Sequence, residues 1–215
     1  MTKTRRTDAA GPPAEPAAPQ KFLDAAARLF AREGFHGVSM RDIARALGVT
    51  PGAVYAHFPS KAAVLAAVYA EGVRRVASAV DAALAKAPEA DPWLRLERAA
   101  AAHLQEILDQ ESGYASVVIR VLPADAPDLA GEMTALRDAH EARFRDLVDA
   151  LALPAGTDRT LFRMTLLGAL NWTPVWRRPE QATPPAAIAR AIVSMLRRGA
   201  PAGASDSPED GKDPT

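Results

Sequence analysis

This chain predicts an all-α protein, on three observations. Apolar residues recur at three- and four-residue spacing through segment after segment, and no stretch alternates apolar and polar residues as a half-buried strand would. Proline or a Ser or Thr cap also stands where most periodic segments begin. The 215 residues, 48% of them hydrophobic, suffice for one or two domains with real cores. The expected division is a disordered arm over 1–20, a three-helix head over 21–66, a larger helical domain over 67–200 and a disordered tail over 201–215.

In chain order, residues 1–20 combine basic residues with Pro and Ala and hold no apolar run that could serve a signal peptide. Lys3, Arg5 and Arg6 suit either a solvated tail or an arm that touches nucleic acid. Lys21 to Glu33 reads as the first helix, with Phe22, Ala26, Leu29 and Phe30 on one face and Gly34 as its stop. Ser39 and Asp42 form a capping box that opens a second helix, whose Met40, Ile43, Ala44 and Leu47 face inward while Arg41 and Arg45 project outward. Gly48 ends it. Thr50 is placed as the next cap with Pro51 at the first helical position, and Val54 and Phe58 anchor that helix.

Two short helices joined by a Gly-containing turn make a helix-turn-helix, whose second helix enters a DNA major groove N-terminus first. Ser39 and Arg41 would stand at its flank. Thr50, Pro51, Gly52 and Ala53 would meet base edges, and Tyr55, His57 and Lys61 would grip phosphates. An ordinary helical hairpin is the competing reading at this point.

Charge favours the first reading. Net charge is zero over the chain, yet Met1 to Lys61 holds nine Lys and Arg against five Asp and Glu, and the remainder is correspondingly acidic. The absence of cysteine excludes disulfides and thiolate metal sites and suits a reducing, cytoplasmic setting. His36, His57, His103 and His140 are never a helical turn apart, so no metal site or other cofactor is expected. No apolar run is long enough for a membrane span.

From Ser60 a long helix is expected to about Leu84, joining the two domains. Further helices follow over Pro92 to Gln110, Gly113 to Leu122, Pro127 to Leu153, Thr157 to Trp172 and Pro185 to Arg198. The last two carry surplus apolar surface: Leu161, Met164, Thr165, Gly168 and Ala169 on one, Ile188, Ala191, Ile192, Met195 and Leu196 on the other. These residues either pack inside the chain or join a second copy.

The run IARALGVTPGAVYAHFPSKAAVL resembles the signature of TetR-family transcriptional regulators, through Ile43, Ala44, Gly48, Val49, Gly52, Tyr55, His57, Phe58, Lys61 and Leu65. The resemblance implies a homodimer that binds double-stranded operator DNA through the head. It also implies a C-terminal domain that takes a small effector and pairs with its mate as a four-helix bundle. The segment LLGALNWTPVWRRPE is similar to the subset that responds to acyl-CoA thioesters, although Arg177 stands where such relatives carry Tyr. On that likeness Trp172, Trp176, Arg177 and Arg178 would meet the nucleotide part, with packing at the interface as the alternative. Leu104, Leu108, Tyr114, Val118, His140, Phe144, Leu167 and Asn171 would line the pocket, as would Ile107 and Leu136.

A helical enzyme or ligand carrier with an incidental hairpin is the rival for the whole chain. It would need a catalytic constellation, and the sequence offers no GxSxG, phosphate loop, metal motif or suitably paired carboxylates. The expectation is therefore a regulator without enzymatic activity.

Overall fold

A computed structural model describes residues 19–88, 90–109, 111–121, 123–178 and 183–199. The tail expected over 201–215, and all but the last two residues of the arm, lie outside the described residues. Nine α-helices and two 3-10 turns make up the described fold, with no strand among them.

The helices are α1 (Pro19–Gly37), α2 (Met40–Leu47), α3 (Pro51–His57), α4 (Lys61–Ala85), α5 (Pro92–Ile107), α6 (Tyr114–Arg120), α7 (Ala130–Asp149), α8 (Arg159–Trp176) and α9 (Pro185–Gly199). Two apolar cores organise them. Phe22, Phe30, Ile43 and Val54 from the first three helices close over Val64, Leu65 and Val68 at the start of α4. Further along, Val76 and Val80 of α4 join Leu96 and Leu104 of α5, Phe144 of α7, Leu166 and Leu170 of α8 and Ile188 of α9. The longest helix, α4, thus belongs to both cores.

Local chemistry sets the ends. Ser39 caps α2 as expected: its Oγ accepts from the Asp42 amide and Asp42 Oδ2 accepts from the Ser39 amide at 2.9 Å. The Ser39 hydroxyl beside Asp42 holds that carboxyl below its ordinary range, with Arg45 adding to the effect. Gly48 takes the left-handed C-cap conformation at φ 65. Ser60 caps α4 by accepting from the Ala63 amide. Thr50 differs from expectation, because it holds the N-cap position of α3 but makes no side-chain capping bond. The Ala53 amide donates instead to the Thr50 backbone carbonyl at 3.0 Å, and the backbone preference of Pro51 starts the helix.

Several boundaries move for identifiable reasons. α1 begins at Pro19, two residues inside the expected arm, and Gln20 donates to Asp24 and to Tyr114 Oη. Its backbone breaks at Gly34 where the stop was expected. The helix expected from Pro127 starts only at Ala130, after 3-10 turns over Pro123–Asp125 and Pro127–Leu129, because two prolines four residues apart remove ladder donors. α7 ends at Asp149 rather than Leu153, ahead of Pro154, which disfavours helix in the residue before it. α8 runs on to Trp176 through Pro174. There the buried Thr173 hydroxyl donates to the Ala169 carbonyl at 3.0 Å, and the Arg177 amide closes the helix on the Thr173 carbonyl.

Candidate functional site

The head presents α3 on its surface. Thr50, Pro51 and Gly52 are exposed at the tip, Ala53 is half-buried, and Val54 alone of the helix is fully inward. Tyr55 is 52% exposed, and Arg41 stands clear on α2. His57 is exposed but leans on Phe22, ring centroids 4.9 Å apart. Lys61 is more constrained: its ammonium donates to the Phe35 carbonyl at 2.8 Å and sits 4.4 Å over the Phe35 ring. In this conformation the lysine fastens the end of α1, past its kink at Gly34, to the first turn of α4.

Below the head, α4, α5, α6, α7 and α8 surround a cavity of about 470 Å³, in the range of small-molecule sites. Its wall is mostly apolar: Val73 and Val76 of α4, Ile107 of α5, Val118 and Ile119 of α6, Met164 and Leu167 of α8. Gly168, Asn171 and Trp172 of α8 are exposed and form its mouth, with Trp172 62% exposed. The polar lining comes from His103, His140, Asn171, Arg137 and Glu141.

Three of these groups form one chain. Asn171 Oδ1 can only accept, so His103 donates from Nε2 across 2.9 Å, and its unprotonated Nδ1 then accepts from His140 Nε2 at 3.1 Å. The rings of His103 and His140 stack at 5.3 Å, with Phe144 edge-on to both. Burial pushes both imidazoles down to about 4; for His140 the neighbouring His103 adds to the effect, and for His103 the Asn171 bond opposes it. Both are neutral at neutral pH. Glu141 of the same α7 face is taken by Arg163, which donates to it at 3.0 Å.

The cavity also touches the head through α6. At the N-terminus of that helix Gly113 has φ 76, and a Cβ there would lie 2.7 Å from the Ala27 carbonyl oxygen of α1. The buried Tyr114 donates to Asp24 Oδ1 at 2.8 Å, and Arg75 lies 4.2 Å over its ring. One short helix therefore lines the cavity with Val118 and Ile119 and rests its other end on α1.

Residues 22–68 match the family model for bacterial regulatory proteins of the tetR family, and residues 89–200, just over half the chain, match that for the tetracyclin repressor-like C-terminal domain. The chain belongs to the TetR family of transcriptional regulators. UidR of Escherichia coli K12 is 36% identical over 55 residues, 26% of this chain and 28% of that regulator. The chain thus matches about a quarter of the length of such curated relatives. Among solved structures, PfmR of Thermus thermophilus has a TM-score of 0.69 at 28% identity, covering 83% of this chain and 97% of its own. AibR in complex with isovaleryl coenzyme A and operator DNA has a TM-score of 0.70 at 22% identity, covering 82% and 96%, a likeness of fold.

Within this TetR-family fold, Ile107, Val118, His140, Leu167 and Asn171 line the cavity, and Trp172 joins them at its mouth. Others do not. Leu104 and Phe144 are fully buried in the second core, and Leu108 is packed against it, because their faces of α5 and α7 turn toward neighbouring helices. Leu136 packs against the first core instead. Tyr114 turns from the cavity to Asp24 and Gln20, where its hydroxyl finds partners. Trp176, Arg177 and Arg178 lie beyond the mouth, since the extension of α8 carries them past it.

Residues not anticipated are His103, Arg137, Glu141, Val73, Val76, Ile119, Met164 and Gly168. A signal existed for His103, which falls in the apolar stripe Leu96, Ala99, Ala100, Leu104 and Ile107. Arg137, His140, Glu141 and Phe144 likewise share one face of α7 by spacing alone.

The TetR-family chain also exposes an apolar stripe on α8: Leu161, Met164, Gly168, Trp172 and Val175 at three- and four-residue steps, with Trp176 beside it and Met195 of α9 exposed too. Of the surplus apolar residues on the last two helices, Ile188 and Ile192 are buried within the chain, whereas Leu161, at 64%, and Met195 are open. No described helix is long and apolar enough to cross a membrane.

Proposed function

We propose that this protein is a homodimeric repressor that grips an operator palindrome with α3 and releases it when a small hydrophobic effector fills the cavity. The observation that carries this reading is the cavity's position: its wall includes α4 and α6, and both helices also hold the head, α4 through Val64, Leu65 and Val68 and α6 through its seat on α1. A ligand that binds one arrangement of α6 better than another shifts the population of head positions by its differential affinity. Exposed Leu161 of α8 and Met195 of α9, away from the cavity mouth, support the dimer, because a second copy would bury them and would carry a second head for the other half-site.

An acyl-CoA thioester is the effector class we assign. Its acyl chain suits the apolar wall, and Trp172 at the mouth with Trp176 one turn on offers aromatic faces for the adenine. That AibR, of the same fold, takes isovaleryl coenzyme A is in keeping with this choice.

Operator binding by the purified protein tests the reading, using DNA from around its own gene at several salt concentrations and then with a panel of acyl-CoA thioesters. Saturable binding released by one thioester is expected. Specific binding that no thioester disturbs would remove the effector class and keep the regulator; no specific binding would reinstate a helical carrier or enzyme. Tyr55→Ala weakens operator binding with the fold retained, and Lys61→Ala does so if its ammonium leaves Phe35 for a phosphate.

A further inference from the structure

The charges lining the cavity do not cancel. Glu141 is neutralised by Arg163, whose side chain is largely buried beside it. His103 and His140 supply no cation at neutral pH, being buried, neutral and bonded to one another. Arg137 remains, one turn before Glu141 on the cavity face of α7, and no carboxylate among the described residues lies within ion-pair distance of it. What it lies beside is a neutral group, the buried Tyr69 hydroxyl, which has no hydrogen-bond partner within bonding geometry. The cavity is thus a largely apolar chamber whose lining carries one cation, Arg137, without a carboxylate partner among the described residues.

We propose that the effector's anionic group pairs with Arg137, so that the cavity takes an apolar body carrying a carboxylate or phosphate in preference to a neutral molecule of equal length. The inference rests on the cavity being the effector site and adds the chemistry that selects among its occupants. A planar guanidinium meets either oxyanion through two parallel donors, and both bonds are charge-assisted. Arg137 is itself exposed, so water screens the pair and the preference is moderate, about tenfold rather than thousands. A free acid and a thioester share this chemistry: the anion is the carboxylate in one and a coenzyme phosphate in the other.

Calorimetric titration of the full chain with octanoate, 1-octanol and octanoyl-CoA separates the cases, run on the natural protein, Arg137→Gln and Arg137→Lys. The expected result is that an anionic ligand binds the natural protein about tenfold or more tightly than 1-octanol. Arg137→Gln abolishes that preference, bringing the anionic ligand and 1-octanol to comparable affinity, and Arg137→Lys keeps part of it. Preference for octanoate assigns the anion to a carboxylate, and preference for octanoyl-CoA assigns it to the phosphates. Equal binding of all three, unchanged in Arg137→Gln, overturns the anion inference and leaves the cavity reading standing. If none binds although operator DNA is still bound, both the cavity reading and the inference built on it fall.

Discussion

Replacing Gly113 by alanine probes the joint between α6 and α1. The residue has φ 76, where an L side chain costs about 1–2 kcal/mol. Its Cβ would also lie 2.7 Å from the Ala27 carbonyl oxygen, 2.8 Å from the Ala27 carbonyl carbon and 2.9 Å from the Arg28 amide nitrogen. All three are backbone atoms inside a helix, which cannot step aside as a side-chain tip can, so α6 must lift from α1 at a cost of about 1–3 kcal/mol. Gly156 provides the control, because its φ is 82 but nothing lies within 4 Å of a Cβ there. Gly156→Ala should lose only the conformational part, and Gly113→Ala that part plus the contact. At about 2–4 °C per kcal/mol for a chain of this size, the extra loss in melting temperature is about 2–12 °C. Because α6 seats the head, operator affinity should fall in Gly113→Ala and hold in Gly156→Ala. Equal melting temperatures and equal operator affinities for the two variants would refute the account of a rigid joint.

Four further outcomes follow from the same geometry. Gly72→Ala gains helix propensity in α4 of about 1 kcal/mol, but its Cβ would come 2.7 Å from Val118 Cγ2 and 3.2 Å from the Tyr114 carbonyl oxygen; Val118 is pushed into the cavity, and titration should show effector affinity falling more than stability. Since His103 and His140 have pKa values near 4 when folded and near 6.5 in the unfolded chain, folding excludes protons between those limits. Stability is therefore complete above pH 6.5 and declines as pH falls toward 4; melting curves should show this, and a double His→Gln variant should flatten it between pH 6.5 and 5, whereas an NMR titration of both rings near 6.5 would contradict it. Leu161→Glu with Met195→Glu, both exposed in the single chain, should yield monomers in sedimentation and weaken operator binding more than tenfold without lowering helix content. Tyr114→Phe removes the bond to Asp24 and leaves that carboxylate to Arg75, 3.6 Å away, so a loss of about 1 kcal/mol is expected by chemical denaturation.

The sequence was sufficient for what depends on near neighbours. The Ser39 and Asp42 capping box, Gly48 as C-cap, Pro51 opening α3 and the inward Val54 are all interactions within a turn or two, so spacing reveals them. The order and helical nature of the segments follow from the same periodicities, and the density of the head signature made the family legible. Partners distant along the chain were another matter. His103 reaches His140 and Asn171, and Tyr114 reaches Asp24 ninety residues away, only because five helices converge. Helical periodicity says that a face is apolar, not which face meets a cavity and which meets another helix: Leu104 and Phe144 went to the core while Ile107 and His140, one turn or less away, went to the wall. Lys61 shows the same limit at shorter range, since only the packing of α1 against α4 could bring the Phe35 carbonyl to its ammonium. The sequence thus determined the helices and the reading head, whose bonds are local. The tertiary structure alone decided the cavity, its neutral histidine chain and its one uncompensated arginine among the described residues, because burial and charge balance depend on every helix that packs around them.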